Sequence, residues 1–101
     1  MLDREFFLGF IKIHILYHAS KEAIYGADIA AELARHGYNI SPGTLYPTLH
    51  RLTREGFLTR RTRIVGGRVR KYYRATPEGK NILKESRVKI KELVRELTEG
   101  E

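Results

Sequence analysis

His14 and His18 stand four residues apart, and Glu22 follows four further on. On one continuous helix the three would share a side, in the manner of a zinc or nickel set. The helix carrying the histidines is expected to end near Ser20, which takes Glu22 off that side. There is no H-E-x-x-H string and no cysteine. A thiolate metal site and a disulfide framework are therefore excluded. No nucleophile–base set is present, and Gly66-Gly67 does not open a helix as a phosphate-binding loop does. The expectation is no metal, no cofactor and no catalysis.

What remains is cationic. The 101 residues carry 19 Lys and Arg against 12 Asp and Glu, a net charge of +7. Such a balance suits an anionic partner. The excess is concentrated: Ile40 to Ala75 holds nine Lys and Arg and one acid, Glu55. Within that span, Ser41 to Gly56 has the signals of a helix. Ser41 can cap the first turn, Pro42 suits the first helical position and Gly56 suits the stop. Leu45, Leu49 and Leu52 share one face. The opposite face carries Gly43, Pro47, His50 and Arg54, flanked by Thr44 and Arg51. A polar, cationic face without an acid suits a DNA groove. Pro47 is tolerable because it lies within the first two turns, where some N–H groups have no helical partner.

The flanking elements must position that face. Asp3 to about Tyr17 reads as a helix, with Asp3 as cap. Phe6, Phe10, Ile13 and Tyr17 form one apolar stripe, and Phe7, Ile11 and His14 a second. Two stripes imply burial on two sides, one against the monomer core and one against another subunit. Ile24-Tyr25 reads as a very short strand, and Ala27 to about His36 as a second helix. Together with the Ser41–Gly56 helix this makes a helix-turn-helix pattern.

After Gly56 the period changes from helical to alternating. Phe57–Val65 and Arg68–Ala75 flank Gly66-Gly67, which suits a two-residue hairpin turn. That turn pairs Ile64 with Val69, Thr62 with Lys71, Arg60 with Tyr73 and Leu58 with Ala75 on one face. The other face pairs Arg63 with Arg70, Arg61 with Tyr72 and Thr59 with Arg74. Arg63 opposite Arg70 is unfavourable alone. A phosphate between them would relieve the repulsion, so the hairpin reads as a basic wing along a nucleic-acid backbone. Thr76-Pro77 restarts a helix. Leu83, Ile90 and Leu97 recur every seven residues, with Leu93 and Val94 between them. About three heptads with mixed charge outside predict packing on a second copy.

Several strings together resemble the PadR family of transcriptional regulators. They are Ile15-Leu16, Ile24-Tyr25-Gly26, Asp28-Ile29, Ser41-Pro42-Gly43-Thr44-Leu45-Tyr46-Pro47 with Leu49 and Leu52, Glu55-Gly56, Arg70-Lys71-Tyr72-Tyr73 and Thr76-Pro77-Glu78-Gly79. The resemblance runs from about residue 7 to residue 79. It implies a mainly α fold with a small β-hairpin wing. A winged helix-turn-helix DNA-binding domain (1–75) would be followed by a C-terminal dimerisation helix (76–101). It also implies a repressor-like homodimer on a near-palindromic operator, similar to the short branch of the family. By position it assigns Ser41, Thr44, Tyr46, Pro47, His50 and Arg51 to helix contacts with DNA, and Gly67, Arg68, Arg70 and Lys71 to the wing. The charge pattern adds Arg54, Arg61 and Arg63. Phe7, Ile11, His14, Leu83, Ile90, Leu93, Val94 and Leu97 are the expected dimer interface. Some relatives bind planar effectors in a tryptophan-lined pocket. This chain has no tryptophan, and no effector is carried over.

The competing expectation is a winged-helix module that binds RNA or a protein. A protein-binding face would expose large apolar anchors, which Gly43, Thr44, Pro47, His50, Arg51 and Arg54 are not. Tyr46 and Tyr72 are the candidate stacking residues for single-stranded RNA. No apolar run is long enough to span a bilayer, and Asp3, Arg4, Glu5 and Lys12 interrupt the first one. A cytoplasmic protein with no membrane partner is therefore expected.

Overall fold

The computed structural model describes residues 4–100. Its elements are α1 (Arg4–Lys21), β1 (Ile24–Tyr25), α2 (Gly26–Arg35), α3 (Pro42–Arg54), β2 (Leu58–Val65), β3 (Arg68–Ala75) and α4 (Pro77–Glu99). Asp3, the expected cap of α1, lies outside the described residues. The first helix ends at Lys21, beside the stop expected near Ser20 and one turn past Tyr17, because Leu16 and Ala19 continue its buried side. Ser20 tolerates this extension by donating its hydroxyl to the Tyr17 carbonyl at 2.6 Å.

The sheet has the order β1-β3-β2, antiparallel throughout. The hairpin pairs Leu58 with Ala75, Arg60 with Tyr73, Arg63 with Arg70 and Ile64 with Val69, the register expected from its turn. Gly66 and Gly67 both have positive φ, +59° and +77°. This is what a two-residue hairpin turn demands and what other residues resist.

One core joins all elements. Ile11, Ile15, Leu16 and Ala19 of α1 meet Ile29 and Leu33 of α2 and Leu45, Leu49 and Leu52 of α3. Leu58, Tyr73 and Ala75 close it from the sheet, and Leu83 from α4. The three leucines of α3 are at most 2% exposed. The face opposite is thereby turned outward.

Two junctions hold α3 and α4 in place. At the end of α3, the Phe57 N–H bonds to the Leu52 carbonyl at 2.9 Å, and the Gly56 N–H to the Thr53 carbonyl at 3.1 Å. Gly56 has φ +87°, the left-handed residue of a helix stop. At the start of α4, Thr76 Oγ1 accepts from the Gly79 N–H at 2.9 Å and donates to the Gly56 carbonyl at 2.6 Å. One threonine thus caps α4 and ties it to the end of α3. Beyond Leu83 the helix leaves the core, and the molecule extends 57 × 30 × 20 Å.

Candidate nucleic-acid interface

The helix face comes first. Ser41, Gly43, Pro47, His50, Arg51 and Arg54 are all exposed, and Thr44 is half-buried. They stand opposite Leu45, Leu49 and Leu52, so core packing fixes their direction. The Ser41 cap differs from expectation. Its carbonyl accepts from the Thr44 and Leu45 N–H groups at 3.0 and 2.9 Å. Its hydroxyl makes no cap and instead donates to Thr44 Oγ1 at 3.3 Å. The side chain is exposed, and Thr44 offers an acceptor close by. Two hydroxyls therefore sit at the electropositive end of α3.

Tyr46 has a packing role besides the DNA contact expected of it. Its ring lies over Gly26 at the start of α2, where a Cβ would stand 3.0 Å from Tyr46 Cε1. It is half-buried and packed against the core. The ring spaces α3 from α2, which leaves only part of it for a ligand.

The wing supplies the second cationic surface. Arg61, Arg63, Gly67, Arg68 and Lys71 are exposed, and Arg70 is half-buried. Arg63 and Arg70 are cross-strand neighbours. Their repulsion is relieved within the protein. The Arg63 guanidinium lies 4.8 Å from the centre of the Tyr72 ring, and Arg70 lies 4.8 Å from that of Tyr25. The two rings are 5.7 Å apart. Cation–π contact holds each charge over its own ring. The Tyr25 shelf is missed by sequence reasoning, because it depends on β1 pairing with β3. On the same face, Thr59, Arg61, Arg63, Tyr72 and Arg74 line a hollow of about 300 Å³ together with Ala23. Four arginine and threonine donors facing one hollow suit a phosphate. At the tip, Ile64 and Val69 are exposed and opposite one another.

The expected interface residues divide. Ile90, Leu93, Val94 and Leu97 are 40% to 75% exposed along the outer part of α4. Ile11 and Leu83 are instead core residues, 0% and 7% exposed. Phe7 and His14 also lie on the inward side of α1, where both rings pack on Tyr38 at 5.3 and 5.2 Å. The outward stripe of α1 is Phe6, Phe10 and Tyr17, which are 63%, 45% and 38% exposed. The two stripes are thus reversed relative to expectation, because α1 buries Ile15 and Ala19 on the same side as Ile11.

His14 and His18 do not meet Glu22, which is exposed beyond the end of α1. They meet His36 instead, and ligand atoms of the three lie within 4.8 Å of one another. Burial holds the His14 imidazole below its ordinary pKa, with His36 and then His18 adding repulsion.

An α2–α3 pair, an outward cationic helix face and an arginine-rich hairpin define a winged helix-turn-helix protein. The comparisons with known proteins give the family. The chain belongs to the PadR-like family of transcriptional regulators, whose model matches residues 15–85. It is 50% identical over 98 residues to the transcriptional regulator Rv3488 of Mycobacterium tuberculosis, covering 97% of this chain and 92% of that one. The crystal structure of a PadR family regulator from Eggerthella lenta is similar with a TM-score of 0.80 at 34% identity, over 96% of this chain and 88% of that one. Bacillus subtilis PadR in complex with operator DNA is similar with a TM-score of 0.67 at 33% identity. That match covers 73% of this chain and 44% of the other. Among the described residues, no helix is long and apolar enough to cross a membrane.

Proposed function

We propose that this protein is a cytoplasmic, homodimeric repressor that binds a near-palindromic duplex operator and catalyses no reaction. The observation that carries the reading is the outward face of α3. It presents Thr44, Pro47, His50, Arg51 and Arg54 with no acid among them, on a helix whose other side is locked in the core. The α3 face supplies base contacts in the major groove. Ser41 and the N-terminal end of α3 take a phosphate. Arg61, Arg63, Arg68, Arg70 and Lys71, with the Gly67 turn, lie along the backbone. The operator complex of the B. subtilis relative supports duplex DNA as the partner. Residues 1–75 form the DNA-binding unit, and 76–101 the dimerisation helix.

The reading is tested by fluorescence anisotropy near physiological salt. A duplex from upstream of the protein's own gene is compared with a scrambled duplex. Specific complexes are typically on the order of a thousandfold or more tighter than non-specific ones. A clear preference for the native duplex is expected, and equal, weak binding to native and scrambled duplexes from every promoter tried would count against it.

The wing and the helix separate in a salt titration. Arg63→Ala is expected to weaken native and scrambled duplexes alike. It should lower the slope of log K against log salt by about 0.9, the share of one neutralised phosphate. Arg51→Ala should instead cost about 1–3 kcal/mol on the native duplex alone. An unchanged slope for Arg63→Ala removes the wing from the interface.

A further inference from the structure

The histidine cluster lies outside the DNA-binding face and has no part in it. His14 and His18 stand one turn apart on α1, on the same side. His36, at the C-terminal cap of α2, completes the set from a second element. Ligand nitrogens of the three all lie within 4.8 Å of one another. The His14 and His36 rings are 4.8 Å apart and inclined by 31°.

A carboxylate stands behind them. Glu32 Oε2 is 3.8 Å from His18 Nε2, and the Arg35 guanidinium holds the other Glu32 oxygen at 2.9 Å. A carboxylate beside a ligating imidazole is the usual means of orienting it. The cluster also has an approach from outside. His14, His18 and His36 open on a hollow of about 320 Å³ whose further lining includes Tyr17, Leu83, Arg87 and Lys91.

We infer that His14, His18 and His36 form a binding site for a borderline divalent transition-metal ion of the zinc class. Three imidazoles suit zinc, nickel or cobalt, and the absence of oxygen donors at three of four positions excludes calcium and magnesium. Water takes the fourth position. Tetrahedral zinc with bonds of about 2.0–2.1 Å needs nitrogens about 3.4 Å apart. The three side chains must therefore close inward from 4.8 Å. His36 is exposed and free to rotate toward the other two, while the α1 pair is set by its helix. Arg87 and Lys91 are cations on the wall of the same hollow. Both are exposed, and their long stems let the charged ends turn to solvent, away from the ion. An ion held there cross-links α1 to the end of α2, just ahead of α3.

The test titrates zinc into the full chain after exhaustive chelation, by calorimetry and by competition with a chromogenic chelator. One zinc per chain is expected, with visible d–d bands of low-symmetry geometry when cobalt replaces it. His36→Gln and His18→Gln should each weaken zinc by at least about a hundredfold, a ligand being worth more than the outer-shell partners that cost 10–100-fold. His50→Gln, the remaining histidine, leaves zinc binding unchanged. His36 is exposed at a cap, so its variant keeps the metal-free melting curve, which circular dichroism checks. Zinc uptake that persists in the variant lacking all three histidines, or that disappears with His50, overturns the site. So does a parent protein that takes up no zinc.

Discussion

Leu93→Asp combined with Leu97→Asp is expected to give a folded monomer that binds an operator duplex at least about a hundredfold more weakly than the parent. The two leucines are 54% and 75% exposed, so the fold does not depend on them. Their surroundings explain what they do. Val88, Ile90 and Val94 lie exposed on the same helix, and Phe6, Phe10 and Tyr17 on α1. Ile13 links them, since it lines the hollow beside Phe6 and Phe10 as well as two hollows that reach Ile90, one of which also reaches Val88. Apolar side chains so numerous and contiguous mark an interaction surface. A second copy related by a two-fold axis would cover both helices with the same patch. Each leucine buried there contributes about 1.5–3 kcal/mol, and symmetry counts each substitution twice. Four buried leucines then supply on the order of 6–12 kcal/mol, the span between a millimolar and a sub-micromolar dimer or tighter. A monomer occupies one half-site and leaves the other empty. Sedimentation gives the mass and anisotropy the affinity. If the variant remains dimeric, or is monomeric with undiminished operator affinity, the interface is misplaced.

The apolar surface of α1 and α4 also marks where sequence reading stops. The hairpin is legible to the residue, because a two-residue turn at Gly66-Gly67 sets one register and alternation then fixes every pair. Helix α3 is legible because its three leucines leave a single face for everything else. The first helix is different. It is apolar on two sides, and nothing in periodicity says which side its neighbours will cover. Burial of Ile15 and Ala19 decides it and sends Ile11 inward with them. Leu83 is taken by the core for a related reason. The first turns of α4 dock against α1, so the free seam begins only near Val88. Tyr46, His36 and the Arg70–Tyr25 contact share another cause. Each depends on two elements being brought side by side, the start of α2 to α3, the end of α2 to α1, and β1 to β3. Tyr72-Tyr73 looks like one motif, yet Tyr73 is fully buried in the core while Tyr72 carries Arg63 on the outer face.

Gly79 is a motif residue whose reason is visible only in the fold, and Gly79→Ala is expected to be the most damaging single methyl group that can be added to this chain. Gly79 is buried in the first turn of α4. A Cβ there would overlap the backbone carbonyl of Phe57 and press on Leu16 Cδ2 at 3.4 Å. The carbonyl cannot swing away. It accepts the Thr76 N–H at 3.1 Å, in the same junction where Thr76 caps α4 and bonds to Gly56. Helix propensity alone would favour alanine by about 1 kcal/mol. Overpacking costs about 1–3 kcal/mol where side chains can yield. Here the obstacle is main chain, so the upper end applies and the sign is destabilising. A net loss of about 2 kcal/mol lowers the melting temperature by on the order of 8–16 °C in a domain this small. Gly9→Ala is the matched control. Gly9 is also helical, but a Cβ there meets nothing within 4 Å, so that variant should melt no lower than the parent. Thermal unfolding followed by circular dichroism reads both. Equal melting temperatures for Gly79→Ala and the parent would mean that α4 does not seat on Phe57. The link between α3 and α4 would then have to run through other contacts.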